Sequence, residues 1–272
     1  MMYLIDDLHT APNDGDHSII DCTLDVNGRP LQLSIAVQAG PARLSDIVPL
    51  AQAVSDRLCG GVIESLSDDD CQVPCRKGCC CCCDYLVSLS MPEVYFLQLE
   101  MERWDADRRH AVLSDCLVAA NKILSADNLS RYQIADGGNL AEINAWYGTL
   151  GVSCPFLTGD SCSIYGIRPL ACREHLVTSP PQFCKPGQAQ DGELVTMPVS
   201  ILEALARLAG GLEETEQEAV LLPLVPVCTD CYRHRCRRTW PAVTLVQTFV
   251  DILESMTLDV SGAGVSSKHD AT

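Results

Sequence analysis

Hydrophobic and polar residues alternate in two short stretches near the start of the chain. Every second residue is apolar over residues 20–26 and again over residues 31–37, and Asn27-Gly28 separates the two stretches. A period of two is typical of a strand with one buried face, and Asn-Gly favours the tight turns that join antiparallel strands. The pattern therefore predicts a β-hairpin.

Farther along, apolar positions recur at helical spacing. They predict a first helix over residues 45–58, which Gly60-Gly61 is expected to end. Residues 90–93 read Ser-Met-Pro-Glu, a capping box with proline early in a helix, and predict a second helix from this point. Further helices are predicted over residues 111–124, 199–208 and 242–254. The predicted fold is mainly α with a small N-terminal β-hairpin, its helices scaffolding two cysteine-rich loops.

The number of cysteines changes this picture, because 17 is far more than a cytoplasmic protein carries by chance. The first residues lack the basic and apolar segments of a secretory signal, so we expect a cytoplasmic protein in which disulfides are disfavoured. Clustered cysteines in that setting are typical of metal binding. A bound cation would also offset part of the formal net charge of −17.

The same charge argues against nucleic acid as a partner, because binding to phosphates requires clustered basic residues. The basic cluster around His234 is short and indicates a solvated surface or a helix end. The longest apolar stretches, residues 219–228 and 244–253, fall short of the roughly 20 residues that span a bilayer. We therefore expect neither a nucleic acid nor a membrane as partner.

Two groups of cysteines have the spacing of metal ligands. The first is Cys75, Cys79, Cys82 and Cys83, with Cys80 and Cys81 as spacers, and the second is Cys154, Cys162, Cys172 and Cys184. Short spacings let one turn present several thiolates to one ion, and a distant group completes the coordination and ties two loops together. Gly159-Asp160 is expected to reverse the chain between Cys154 and Cys162. Zinc and iron-sulfur clusters both accept four thiolates, so spacing leaves the choice open.

These motifs resemble a known family. The stretch "PCRKGCCCCC", followed by "CPFL" and "CSIYGIRPLACRE", is similar to the YkgJ-type cysteine-cluster proteins, which are described as zinc- or iron-chelating. The resemblance covers about residues 74–186 and implies metal binding without implying a reaction. It implies these ligands: Cys75, Cys79, Cys82, Cys83, Cys154, Cys162, Cys172 and Cys184. The chain departs from the family in having Cys80 and Cys81 where small residues are usual, so these two cysteines are either spare ligands or spacers.

The predicted domain organisation follows from these segments. Residues 1–17 are polar and are expected to form a flexible leader, and residues 259–272 are small and polar and are expected to form a disordered tail. Residues 18–258 are expected to form a single cysteine-cluster metal-binding domain, with the metal core in residues 71–186. Residues 148–190 are rich in glycine and proline, so this long irregular segment requires a staple or a function.

Other residues have a less specific pattern. Cys22, Cys59 and Cys116 fall on predicted regular elements and are expected to be buried core thiols. Arg168 and Arg173 are expected to neutralise thiolates or to pair with carboxylates that hold the loop. His175 is either an additional ligand or an exposed or hydrogen-bonded side chain. A second candidate site, with reduced thiols in a loop as the alternative, consists of Cys228, Cys231, His234 and Cys236.

Two functions remain from the residues and the resemblance. The first is a closed metal-chelating module, because four thiolates leave no open position on a zinc ion. The second is an iron-sulfur enzyme, such as a protein lysine N-methylase using S-adenosylmethionine. The spacing Cys75-x3-Cys79-x2-Cys82 resembles that of radical S-adenosylmethionine enzymes. A flagellin lysine methylase also carries a cysteine cluster similar to this one. The sequence lacks the succession of strands and helices of a βα barrel, and Cys83 could occupy the open iron. The chelating module is the preferred interpretation.

Overall fold

A computed structural model describes residues 1–5, 17–68, 71–126, 140–184, 194–228 and 234–263, with only the backbone for residues 140–142, 228 and 258–263. The helices are α1 (Val48–Asp68), α2 (Met91–Glu102), α3 (Ala106–Leu124), α4 (Leu140–Thr149), α5 (Leu170–Glu174), α6 (Ile201–Glu213), α7 (Val225–Cys228) and α8 (Ala242–Ala263). The strands are β1 (Met2–Leu4), β2 (His17–Val26), β3 (Arg29–Gln38), β4 (Pro41–Ala42), β5 (Ser88–Ser90), β6 (Leu157–Thr158), β7 (Ser161–Cys162), β8 (Ala219–Leu221) and β9 (Trp240–Pro241).

The predicted hairpin is confirmed as β2 and β3, which pair antiparallel along their whole length. Asn27 and Gly28 form the turn with φ of 54° and 82°, the left-handed conformation that Asn and Gly tolerate best. Alternate residues of β2, from Ile20 to Val26, are buried against α8 and α1, and the residues between them are exposed.

The predicted flexible leader is wrong for its first residues. Met2–Leu4 form β1, which pairs antiparallel with the free edge of β3 and extends the hairpin to a three-stranded sheet. Met2 and Leu4 also pack against the hydrophobic core. The local sequence pattern did not predict this strand, because the strand forms by pairing with a segment distant in sequence. Residues 6–16 of the predicted leader lie outside the described residues.

The predicted end of the first helix at Gly60-Gly61 is also wrong. Helix α1 continues through both glycines to Asp68, because Val62 on its next turn is buried in the core. The position at which a Cβ of Gly61 would lie is 3.6 Å from the nearest side-chain carbon of Val26, so the helix packs closely on the hairpin here. The gain from burying apolar surface outweighs the helix propensity that two glycines cost.

The predicted capping box at the start of α2 is confirmed. The carboxylate of Glu93 accepts hydrogen bonds from the backbone N–H and the hydroxyl of Ser90, at 3.0 and 2.9 Å. Pro92 lies in the first turn, where its missing N–H would have no partner in the helix. Local chemistry therefore determines where this helix begins.

One cluster of buried side chains extends from Ile20 in the hairpin to Met256 in α8, and its largest members include Tyr95, Phe156 and Phe249. About 53% of the chain is helical and the small antiparallel sheet is N-terminal, so the predicted mainly α fold is confirmed at this level. The sequence pattern missed α4. None of the helices in the described part of the chain combines the length and the apolarity that a membrane crossing needs.

Helix α8 extends to Ala263, into the segment predicted to be a disordered tail. Met256 and Thr257 are 8% and 7% exposed, so the helix is still packed against the core shortly before residue 259. Residues 264–272 lie outside the described part of the chain.

Candidate metal centre

The first cysteine loop, residues 71–87, is a series of tight turns between α1 and β5. The N–H of Cys79 donates to the carbonyl oxygen of Arg76 at 3.1 Å, and the N–H of Cys83 donates to that of Cys80 at 3.0 Å. Gly78 lies in the first turn with φ of 90°, a conformation that residues with a Cβ rarely adopt. These turns fold the run of cysteines back on itself, so its sulfurs are presented on a short length of backbone.

The second cysteine loop, residues 150–184, contains the hairpin of β6 and β7. Gly159 lies in its turn with φ of 59°, which confirms the predicted chain reversal. Cys162 lies at the end of β7, and the carbonyl oxygen of Cys154 accepts from the N–H of Leu157, the first residue of β6, at 3.0 Å. The loop therefore returns Cys162 to the neighbourhood of Cys154.

Hydrogen bonds join the two cysteine loops. The backbone N–H of Cys154 donates to the carbonyl oxygen of Cys83 at 2.8 Å. Beside it, the hydroxyl of Ser153 donates to the carboxylate of Asp84 at 2.7 Å. Cysteines from the two loops of the predicted metal core are thus adjacent in the folded chain.

Four thiols, which we call the first tetrad, lie within electrostatic reach of one another: Cys75, Cys79, Cys82 and Cys184. The pKa of Cys82 is raised to about 12, first by burial, then by the thiolate of Cys83 and then by the thiolates of the other tetrad members. Burial and the thiolates of Cys75, Cys79 and Cys81 raise the pKa of Cys184 to about 11. Burial is also the main reason that the pKa of Cys75 is raised.

A second tetrad consists of Cys83, Cys154, Cys162 and Cys172. Burial and then the thiolates of Cys154 and Cys162 raise the pKa of Cys83 to about 12. Burial also raises the pKa of Cys154 to about 12, although a hydrogen bond from the N–H of Phe156 opposes this. The pKa of Cys172 is raised well above its ordinary value by burial and by the thiolates of Cys154, Cys82, Cys162 and Cys83.

The eight predicted ligands are therefore brought together in space, but not in ligating geometry. Within the described residues, no group of three or more Cys, His, Asp or Glu side chains has an arrangement that could hold a metal ion. No disulfide joins the cysteines whose side chains are described. Neighbouring buried thiolates repel one another, and a cation bound among them would remove that repulsion. By donor chemistry the tetrads match zinc or an iron-sulfur cluster, since both accept four thiolates.

The support of α5, which carries Cys172, comes partly from Arg173. This side chain is 4% exposed, and its guanidinium donates to both carboxylate oxygens of Asp56 at 2.6 Å. It also donates to the carbonyl oxygens of Gly166 at 2.6 Å and Arg168 at 3.1 Å. The expected pairing of Arg173 with a carboxylate that holds the loop is confirmed.

Arg168 acts on the first tetrad through its charge, which lowers the pKa of Cys75 against the stronger effect of burial. Its guanidinium stacks over the ring of Tyr165, 4.1 Å from the centroid. The expected neutralisation of a thiolate by Arg168 stays a prediction.

Two glutamate side chains that the sequence analysis did not single out, one buried and one partly buried, also hold α5. Glu93 accepts from the N–H of Leu170 at 2.7 Å, which ties the capping box of α2 to the first residue of α5. Glu174 accepts from the hydroxyl of Ser200 at 2.8 Å and from the N–H of Leu202 at 3.0 Å, which ties α5 to the start of α6. The capping box was the one sequence signal that could have indicated Glu93.

His175 lies beside the first tetrad. The thiol of Cys75 donates to the carbonyl oxygen of His175 at 4.0 Å, and the imidazole packs on the ring of Tyr85 with 5.6 Å between centroids. Its Nε2 is buried and has no hydrogen-bond partner among the described residues. Burial lowers the pKa of this imidazole, so its neutral form, which can ligate a metal, is favoured. Both alternatives for His175 therefore stay predictions.

The remaining cysteines divide into two kinds. Cys22, Cys59 and Cys116 are at most 8% exposed, so the prediction of core thiols is confirmed. The second candidate site cannot be followed in the structure, because Cys231 and the side chain of Cys228 lie outside the described residues. His234 is exposed and Cys236 is partly buried.

A scan against family models, a search of curated proteins and a search of solved structures returned no match to the chain. The resemblance to the YkgJ-type cysteine-cluster proteins rests on the quoted motifs and stays a prediction.

Proposed function

We propose that the chain is a metal-binding protein that chelates zinc or iron, the latter as an iron-sulfur cluster, through the eight cysteines of the two tetrads. The observation that carries the proposal is the contact between the cysteine loops, in which the N–H of Cys154 bonds to the carbonyl oxygen of Cys83.

Burial is the largest reason that the pKa of these thiols is raised, so binding a metal would release their protons as it brings in a positive charge. The proposed setting is a reducing compartment such as the cytoplasm, where the thiols stay available as ligands.

The test is purification without oxygen, followed by measurement of zinc, iron and acid-labile sulfide and by a visible absorption spectrum. We expect either a colourless protein with zinc or a brown protein with iron and sulfide. In the second case, a spectral change on adding S-adenosylmethionine would favour the iron-sulfur enzyme over the chelating module. A protein that neither contains metal nor takes up zinc or iron under reducing conditions would overturn the proposal.

The run of cysteines supplies a matched pair of variants for this test. Cys82 belongs to the first tetrad, and Cys80 belongs to neither tetrad although it lies in the same turn. Cys82→Ser is expected to lower the metal content, and Cys80→Ser is expected to leave it unchanged.

A further inference from the structure

The three-stranded N-terminal sheet has the strand order β1-β3-β2, so β2 lies at its edge. Because Asn27-Gly28 is a two-residue turn, the flanking residues Val26 and Arg29 form a hydrogen-bonded pair, and such pairs recur at every second position of an antiparallel ladder. The residues between them turn their backbone N–H and C=O groups away from β3: Ile19, Asp21, Thr23 and Asp25.

One of these outward groups has a partner on a neighbouring helix. The N–H of Thr23 donates to the carboxylate of Glu254 in α8 at 3.1 Å, which agrees with the direction expected for this N–H. Within the described part of the chain, the outward backbone groups of Ile19 and Asp21 have no hydrogen-bond partner. A row of such groups along a sheet edge is a template for the addition of another strand.

The side chains along this edge are acidic. Asp21 and Asp25 are exposed, and their carboxylates accept hydrogen bonds of 2.7 Å from the hydroxyl of Ser34 and from the N–H of Gly28. Glu254 brings a third carboxylate to the edge at Thr23. None of the ion pairs among the described residues involves these three carboxylates. The edge therefore attracts a segment with basic side chains.

The same carboxylates disfavour a second copy of β2 as the added strand. If two copies paired antiparallel with Asp21 or Thr23 at the centre, Asp21 would lie opposite Asp21 or Asp25 of the other copy. Like charges directly opposite each other destabilise a pair of strands, and opposite charges stabilise it. Ile19, which is 49% exposed, provides an apolar contact beside the charges.

We infer that the outer edge of β2 binds an extended basic segment of another protein, which adds a strand to the sheet. Main-chain hydrogen bonds to the outward N–H and C=O groups hold the segment, and lysine or arginine at every second position pairs with Asp21 and Asp25. The added strand takes over the N–H of Thr23 from Glu254. The inference does not depend on the proposed metal binding.

The experiment measures amide hydrogen exchange residue by residue, with and without a peptide in which lysine and valine alternate over ten residues, the length of β2. Exchange at the N–H groups of Ile19 and Asp21 is expected to slow when the peptide binds, because these groups become hydrogen-bonded. The control peptide has the same sequence with N-methylated lysines, which keeps the charge and removes the N–H groups that face β2. It is expected to leave exchange at Ile19 and Asp21 unchanged.

A matched pair of variants tests the charge of the edge. Asp21→Lys is expected to weaken binding of the lysine-valine peptide by about tenfold, because it replaces an attraction across the strands by a repulsion. Glu102→Lys changes the net charge equally at an exposed position of α2 and is expected to leave the affinity unchanged. If Asp21→Lys does not fold, the exchange pattern of the unaltered chain decides the question.

Three results would overturn the inference. Equal binding of both peptides without slowed exchange at Ile19 and Asp21 would show charge attraction without strand addition. Slow exchange at these groups in the absence of peptide, together with self-association of the chain, would identify a second copy as the occupant. Failure of the lysine-valine peptide to bind would show that the edge does not accept a basic strand.

Discussion

The backbone N–H of Cys154 donates a hydrogen bond of 2.8 Å to the carbonyl oxygen of Cys83. This bond joins the two cysteine loops directly, with no intervening side chain, and the bond from Ser153 to Asp84 beside it adds a second connection. The loops are therefore held together by the polypeptide itself. For the proposed metal binding, this lowers the entropy that would be lost in ordering two separate loops.

Replacing Cys172 by serine is expected to lower the metal content and the free energy of unfolding together, because ligation and folding are coupled in thiolate sites. Cys172 lies in α5 among the thiolates of the second tetrad. We expect a loss of stability of about 3 kcal/mol or more for the metal-loaded protein. Metal analysis and denaturant unfolding of the same samples measure both quantities.

Cys22→Ser is the matched control for this change, since Cys22 is a buried thiol of the hairpin. Burying a serine hydroxyl there is expected to cost stability by about 1–3 kcal/mol and to leave the metal content unchanged. A Cys172→Ser protein that retains full metal and full stability would show that this cysteine is not a ligand.

Arg173→Gln is expected to destabilise the protein by about 2–4 kcal/mol, because it leaves the carbonyl oxygens of Gly166 and Arg168 without their donor and removes the partner of Asp56. Asp56→Asn is expected to cost about 1 kcal/mol or less, since the Asp56 side chain is 56% exposed and water can replace the lost contact. Equal losses in the two variants would contradict a structural role for the backbone contacts of Arg173. Denaturant unfolding measures both.

Stability is expected to fall as the pH rises toward neutrality, because of Glu174. Burial raises the pKa of this carboxyl from 4.5 to about 7, and the nearby Glu93 raises it further, while bonds from Ser200 and Leu202 act in the opposite direction. Since the raised pKa favours the protonated acid in the folded chain, its contribution is complete below about pH 4.5 and is lost as the pH passes about 7. The loss amounts to at most about 3 kcal/mol.

Glu174→Gln, which cannot ionise, is expected to remove this part of the pH dependence. The measurement is denaturant unfolding of the metal-free protein between pH 4.5 and 8, with Glu102→Gln as the control because Glu102 is an exposed carboxylate of α2. A pH dependence that is the same in both variants and in the unaltered chain would refute the assignment to Glu174.

Gly60→Ala is expected to stabilise the protein by about 0.5–1 kcal/mol, because Gly60 lies inside α1 and alanine restricts the unfolded chain more than glycine does. The space is available, since nothing lies within 4 Å of the position that a Cβ would take. Gly28→Ala should have the opposite effect, because Gly28 has a φ of +82° that alanine adopts only with strain. Thermal or denaturant unfolding distinguishes the two signs.

The elements that the sequence predicted correctly depend on neighbours in the chain. The turn at Asn27-Gly28 needs only the left-handed tolerance of these two residues, and the capping box of α2 needs only Ser90 and Glu93. The sequence predicted a stop at Gly60-Gly61 for an equally local reason. That prediction failed because the burial of Val62, which depends on the rest of the fold, outweighs the helix propensity of two glycines.

The sequence by itself determined which atoms are available: a run of cysteines, a second group farther along, and turn-forming glycines that let the backbone present them. Only the tertiary structure decided which thiols are neighbours, so that Cys82 lies near Cys75 and Cys184 and the backbone of Cys83 bonds to that of Cys154. It likewise decided that Arg173 meets Asp56 and that Glu93 reaches Leu170. The physical reason is that these contacts join segments far apart in sequence, and their geometry depends on how the whole core packs, which no local pattern of residues encodes.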